Sequence, residues 1–123
     1  MDKKHPVNLN LLSIKFPITA ITSILHRLSG VFLFLLIPII LYIWSYSLTS
    51  SLHFANVQAW LGSWGVKILL WLLLAALIYH LVAGIRHLIM DLGYGESKTS
   101  GPRGARAVLI VSVILFVLGV ILL

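Results

Sequence analysis

The residues able to do chemistry in this chain are few, and most sit inside or beside long apolar runs. His80 lies in LLWLLLAALIYHLVAGIRHL, a run in which an ionisable side chain is costly and so marks a candidate functional position. Ala76, Ala83, Gly84 and His87 fall at i−4, i+3, i+4 and i+7 from it and share its helical face. An imidazole above a glycine, flanked by small residues, leaves a groove in which something flat can approach the backbone. A neutral imidazole can ligate haem iron through Nε2 if its Nδ1–H is held elsewhere. The same histidine could instead hydrogen-bond to a neighbouring helix, with the small residues serving close packing.

A second group is Ser23-Ile-Leu-His26-Arg27-Leu-Ser29-Gly30. Ser23 lies three residues from His26 and four from Arg27, so the three can line one side of a helix. A guanidinium there can donate to a quinone carbonyl or to a haem propionate, and a hydroxyl can add a further hydrogen bond. An arginine at a helix end is also what membrane anchoring alone would place, and serines are common in membrane helices. His26 could equally be an interfacial residue with no ligand. A third group, Gly84-Ile-Arg86-His87-Leu-Ile-Met-Asp91, sets His87 four residues before Asp91. That carboxylate could orient the imidazole or relay protons, or the pair could be a charged helix end meeting water.

These positions need elements to hold them, and composition restricts the choice. The 123 residues are 60% hydrophobic and 10% charged, with a mean hydropathy of +1.07. Soluble domains carry roughly 25% charged residues, so this chain has too few to cover a water-facing surface. Nine Lys/Arg against three Asp/Glu give a net charge of +6, but the bases stand between apolar runs and form no stripe for nucleic acid. There is no cysteine, which excludes disulfides, cysteine-ligated clusters and a thiol nucleophile within this chain.

Three stretches meet the roughly 20 apolar residues of a spanning helix: about 30–47, 66–88 and 107–123. The fold expected is all-α and integral to a membrane, in one domain over 1–123. Pro38 lies inside the first span and would bend that helix, not end it. The third, at 17 residues, is barely long enough. Pro17 opens an amphipathic lead-in that runs through Arg27 into the first span. Phe54, Val57, Trp60, Leu61 and Trp64 have the spacing of a short helix lying on the membrane surface. The glycines and proline of 93–106 predict a flexible loop. If the second span is 68–87, His80 is about 4 Å from its midpoint along the axis.

Lys3, Lys4, Lys15 and Arg27 precede the first span, and Lys98, Arg103 and Arg106 follow the second, whereas residues 48–65 carry no charge. The positive-inside rule then puts the N-terminus and second loop in the cytoplasm and the C-terminus outside. Trp44, Trp60, Trp64 and Trp71 would mark the outer boundary. The basic start lacks the short apolar core of a cleavable signal peptide and is poor in arginine for a mitochondrial presequence. Asp2, Asp91 and Glu96 all fall at or outside the cytoplasmic edge, which disfavours a small proton-coupled transporter.

PVNLNLLSIKFPITAITSILHRLSG at 6–30 and YHLVAGIRHLIMDLGY at 79–94 together resemble the cytochrome b membrane-anchor subunit of succinate dehydrogenase, respiratory complex II. The carrying signatures are Ser-x-x-His-Arg-x-Ser-Gly before the first span and His-x-x-x-Gly-Ile-Arg-His at the end of the second. The chain departs from the family at His5-Pro6, where Arg-Pro is usual. By this resemblance His80 is an axial ligand to the iron of a b-type haem, and a second anchor subunit supplies the other histidine. Ser23 and Arg27 line a ubiquinone site, and His26, Arg27 and His87 lie near the haem propionates. The partners implied are that second anchor, an iron–sulfur subunit and a flavoprotein subunit, with the flavin and clusters held only there. The location implied is a bacterial inner membrane. A fumarate reductase anchor working in reverse, or a haem-free structural or assembly protein, remain the alternative readings.

Overall fold

The computed structural model describes residues 16–123, and within them it is entirely helical. The order is α1 (Ile18–Ser47), α2 (Ser51–Gly62), α3 (Trp64–Asp91) and α4 (Ser100–Leu122). The basic start with Lys3, Lys4 and Lys15, and the departure at His5-Pro6, lie outside the described residues.

The lead-in and first span form one uninterrupted helix of 30 residues, with Pro17 in extended conformation at its N-cap. At about 1.5 Å per residue that is roughly 45 Å, more than the ~30 Å hydrocarbon layer needs. The surplus is the polar segment carrying Ser23, His26 and Arg27. Pro38 sits inside α1 without ending it, as expected. The connection to α2 is three residues, and the Ser50 hydroxyl caps α2 by accepting from the His53 amide at 3.1 Å. His53 in turn stacks on Tyr46 of α1 (4.1 Å between centroids), as does Trp60 (5.7 Å), so the short helix is pinned by aromatic rings. Trp64 is not part of this helix: the chain breaks at Ser63, and Trp64 opens α3.

Two boundaries differ from the sequence expectation. The loop is only 92–99, and α4 spans 23 residues, long enough to cross a bilayer. The Gly/Pro-rich segment does not exclude helix because Pro102 falls in the first turn, where its missing N–H has no intrahelical partner to lose. Gly101 is buried, and Gly104 leaves room for Arg86, whose Nε would lie 3.0 Å from an added Cβ. The loop starts with a glycine-ended helix terminus: Gly93, at φ +92°, donates to the Met90 carbonyl, and Tyr94 donates back to Ile89.

Helices α1, α3 and α4 pack on one another, and α2 rests on α1 and α3. The shared core is thin and built of small side chains: Ala105 is fully buried, and Thr22, Val108, Ala83 and Ser112 are nearly so. Small residues bring backbones together, which is how membrane helices gain packing energy when lipid offers no hydrophobic drive. Large apolar side chains point outward instead; Phe34 is 74% exposed and Leu122 83%. A surface of that kind is stable only against lipid or partner helices. The three long apolar helices match the integral membrane fold expected from hydropathy.

Candidate functional site

The α1–α3 contact is built from a reciprocal pair of glycines and histidines. On α1 the spacing is His26 to Gly30, and on α3 it is His80 to Gly84, so each offers an imidazole and a gap one turn apart. A Cβ on Gly30 would come within 3.0 Å of His80 Cε1, and one on Gly84 within 3.4 Å of His26 Nε2. Each histidine therefore lies over the other helix's glycine. The two rings stack with centroids 4.4 Å apart and planes 19° from parallel.

His80 is oriented through Nδ1. That atom lies 3.1 Å from the Ser29 hydroxyl and 3.2 Å from the His26 backbone carbonyl. A carbonyl can only accept, and the Ser29 hydroxyl already donates to the same His26 carbonyl at 2.7 Å. Both neighbours of Nδ1 are thus acceptors, so Nδ1 carries the proton and Nε2 of the neutral ring keeps its lone pair. Ser29 is buried, which shields the arrangement from water. One residue earlier, the Tyr79 hydroxyl donates to the Thr22 carbonyl at 2.6 Å and fixes the rotation of α3 against α1.

Around this centre lie two recesses that share His26 and His87. One, of about 350 Å³, is bounded by His80, Gly84 and the apolar side chains Leu81, Ile85 and Leu88. The groove expected at Gly84 is therefore present, but the His26 ring forms part of its wall. The other, about 170 Å³ and polar, is lined by Ser23, Arg27 and Arg86 as well as the two histidines. Ser23, His26 and Arg27 come together there as their spacing predicts. Asp91 stands apart from both recesses. Its nearest partner is His87 at 3.9 Å, and both side chains are largely exposed, so this is a weak surface pair.

The profile of the family described as succinate dehydrogenase/fumarate reductase transmembrane subunit matches residues 1–119. The chain belongs to that family. Among similar proteins is the succinate dehydrogenase cytochrome b556 subunit of Coxiella burnetii (strain RSA 493 / Nine Mile phase I), 44% identical over 119 residues. That alignment covers 96% of this chain and 95% of the relative. The subunit of the same name from Paracoccus denitrificans is 36% identical over 95% of this chain and 90% of its own length. The one from Rickettsia felis (strain ATCC VR-1525 / URRWXCal2) is 40% identical over 76% of this chain and 73% of its own.

In this family member, reading the sequence missed the residues that support the site. Ser29 and Gly30 stood in the quoted motif without a role, although Ser29 is three residues from His26 on the same face. Tyr79 and Thr22 carried no signal, because their bond joins a side chain to a distant backbone carbonyl. Arg86 stands in the third motif, beside His87, without a role of its own.

Proposed function

We propose that this chain is the cytochrome b membrane-anchor subunit of a succinate:quinone oxidoreductase, co-ligating a b-type haem and forming part of the site where ubiquinone is reduced. One observation carries the reading: His80 is held through Nδ1 by two acceptors, which leaves Nε2 with the lone pair that an axial iron ligand needs. The surrounding residues fit the group. The apolar groove beside His80, walled by Leu81, Ile85 and Leu88 and by the His26 ring over Gly84, suits the edge of a macrocycle, and His26, Arg27 and His87 suit its propionates. A b-type haem held by His80 would supply electron transfer or storage. On this reading, and as the family resemblance implies, the second histidine comes from another small anchor subunit.

At the quinone, the work falls to α1. Arg27 donates to a quinone oxygen and lowers the energy of the negative charge that develops on it during reduction, and Ser23 fixes the ring by a further hydrogen bond. Electrons arrive from an iron–sulfur subunit, which receives them from a flavoprotein that oxidises succinate. With no cysteine in the chain, the clusters belong to those partners. His87 and Asp91, at the exposed end of α3, can pass protons toward the site. The N-terminus faces the cytoplasm of a bacterial inner membrane and the C-terminus the other side.

The test is a dithionite-reduced minus oxidised visible spectrum of the whole complex, purified through a tag on this chain. A sharp low-spin b-type signature, altered by His80→Gln, supports the reading. A flat spectrum from an intact, haem-supplied complex leaves the chain as a haem-free anchor.

A further inference from the structure

We infer that Arg86 is a binding residue of the polar recess, holding an anionic carboxylate there, and that α4 is the element that positions it. The inference rests on the haem reading above, because the carboxylate meant is a haem propionate.

Arg86 reaches the recess from α3 but is fixed by α4. Its Nη2 donates to the Gly101 carbonyl at 3.0 Å, in the first turn of that helix. A Cβ on Gly104 would lie 3.0 Å from Arg86 Nε and 3.7 Å from Cδ, so the glycine is the saddle over which the side chain passes. A guanidinium has five N–H donors. The Gly101 carbonyl is the one acceptor that Arg86 engages among the described residues.

The charge pattern says what the remaining donors meet. The recess gathers Ser23, His26, Arg27, Arg86 and His87 and has no acidic side chain in its lining. Among the described residues no carboxylate comes within 4.0 Å of either arginine; the one ion pair is His87 with Asp91. Arg86 is also half-buried at the end of an apolar helix, where an unpaired cation is costly. Two guanidiniums, that of Arg86 held by α4, beside two imidazoles form a site for an anion, and a guanidinium matches a carboxylate with parallel hydrogen bonds. In this arrangement α4 sets the charge beside the haem through the position it gives Arg86.

The experiment is a potentiometric titration of the haem in the purified four-subunit complex, with haem content measured in parallel, for wild type, Arg86→Gln, Arg86→Lys and Gly104→Val. A positive charge next to the haem favours its reduced form, so Arg86→Gln should lower the midpoint potential and the haem retained. Arg86→Lys should restore part of both. Gly104→Val keeps the charge but displaces the side chain, and should lower the potential with the shape of the spectrum unchanged. Should Arg86→Gln not assemble, the other two variants decide. A haem present at the wild-type potential in every variant that assembles overturns the role of Arg86 and leaves the haem reading standing. A wild-type complex without haem overturns both.

Discussion

The imidazoles of His26 and His80 stack 4.4 Å apart, each lying over the glycine one turn along the opposite helix. This contact joins the two sequence motifs into one structure. The His26 carbonyl accepts from His80, the His26 ring walls both recesses, and Ser29 bonds to both residues. Perturbing any member should therefore be read at the others.

Ser29→Ala removes one of the two acceptors that hold His80 Nδ1. Outer partners of a metal-ligating histidine typically account for about 10–100-fold in affinity. With the His26 carbonyl still in place, haem retention should fall toward the lower end of that range. Pyridine haemochrome content per complex, followed during washing with a haem-scavenging apoprotein, measures it. Retention equal to wild type would show that the carbonyl alone orients the ring.

Gly30→Val should be more damaging than Ser29→Ala. The first added carbon already meets His80 Cε1 at 3.0 Å, and the branch crowds further, so the His80 ring must shift. We expect a complex that loses its low-spin signature while Gly62→Val, where the same added carbon meets nothing within 4 Å, keeps it. The comparison is made by absorbance spectra of the two variants at equal protein.

Arg27→Leu should cut quinone reduction by about 10²–10³-fold, the usual loss when one donor to a developing oxyanion is removed. Succinate oxidation measured with an artificial acceptor should be unchanged, because the proposed function assigns that chemistry to partner subunits. Ser23→Ala should raise the apparent KM for quinone more than it lowers kcat. Normal quinone turnover in Arg27→Leu would remove that residue from the site.

Tyr79→Phe deletes a 2.6 Å hydrogen bond between α3 and the Thr22 carbonyl. Interhelical bonds of this kind are worth about 0.6–2 kcal/mol in membrane bundles. The complex should melt a few degrees lower, read by loss of the haem absorbance on heating in detergent, with the reduced spectrum at room temperature intact.

The orientation can be tested cleanly because the chain has no cysteine. Single cysteines at Ser50 and at Ser97 should differ in intact cells. A membrane-impermeant thiol reagent should label Ser50→Cys from outside and reach Ser97→Cys only after lysis. The reverse pattern would invert the topology.

Hydropathy and spacing act along one helix, and what depends on them alone was legible in the residues. Three spanning segments, a helix continuous from Pro17 through Pro38, and Ser23, His26 and Arg27 on a common side are all consequences of a 3.6-residue repeat in an apolar chain. The start of α4 was misjudged because glycine and proline are read as breakers in isolation. Here Pro102 falls in a first turn, and Gly104 is retained for the room it leaves Arg86.

Tertiary structure decided the rest. The Ser29–His80 bond joins residues 51 apart in the chain, and Tyr79 meets Thr22 across 57. No local pattern encodes such a separation; it is set by how closely two helices approach and how each is rotated. Residue types could mark His80 as a candidate ligand, but its free nitrogen follows from which acceptors stand beside Nδ1. That depends on the two helices being packed, because a hydrogen bond forms only where donor and acceptor meet within about 3 Å.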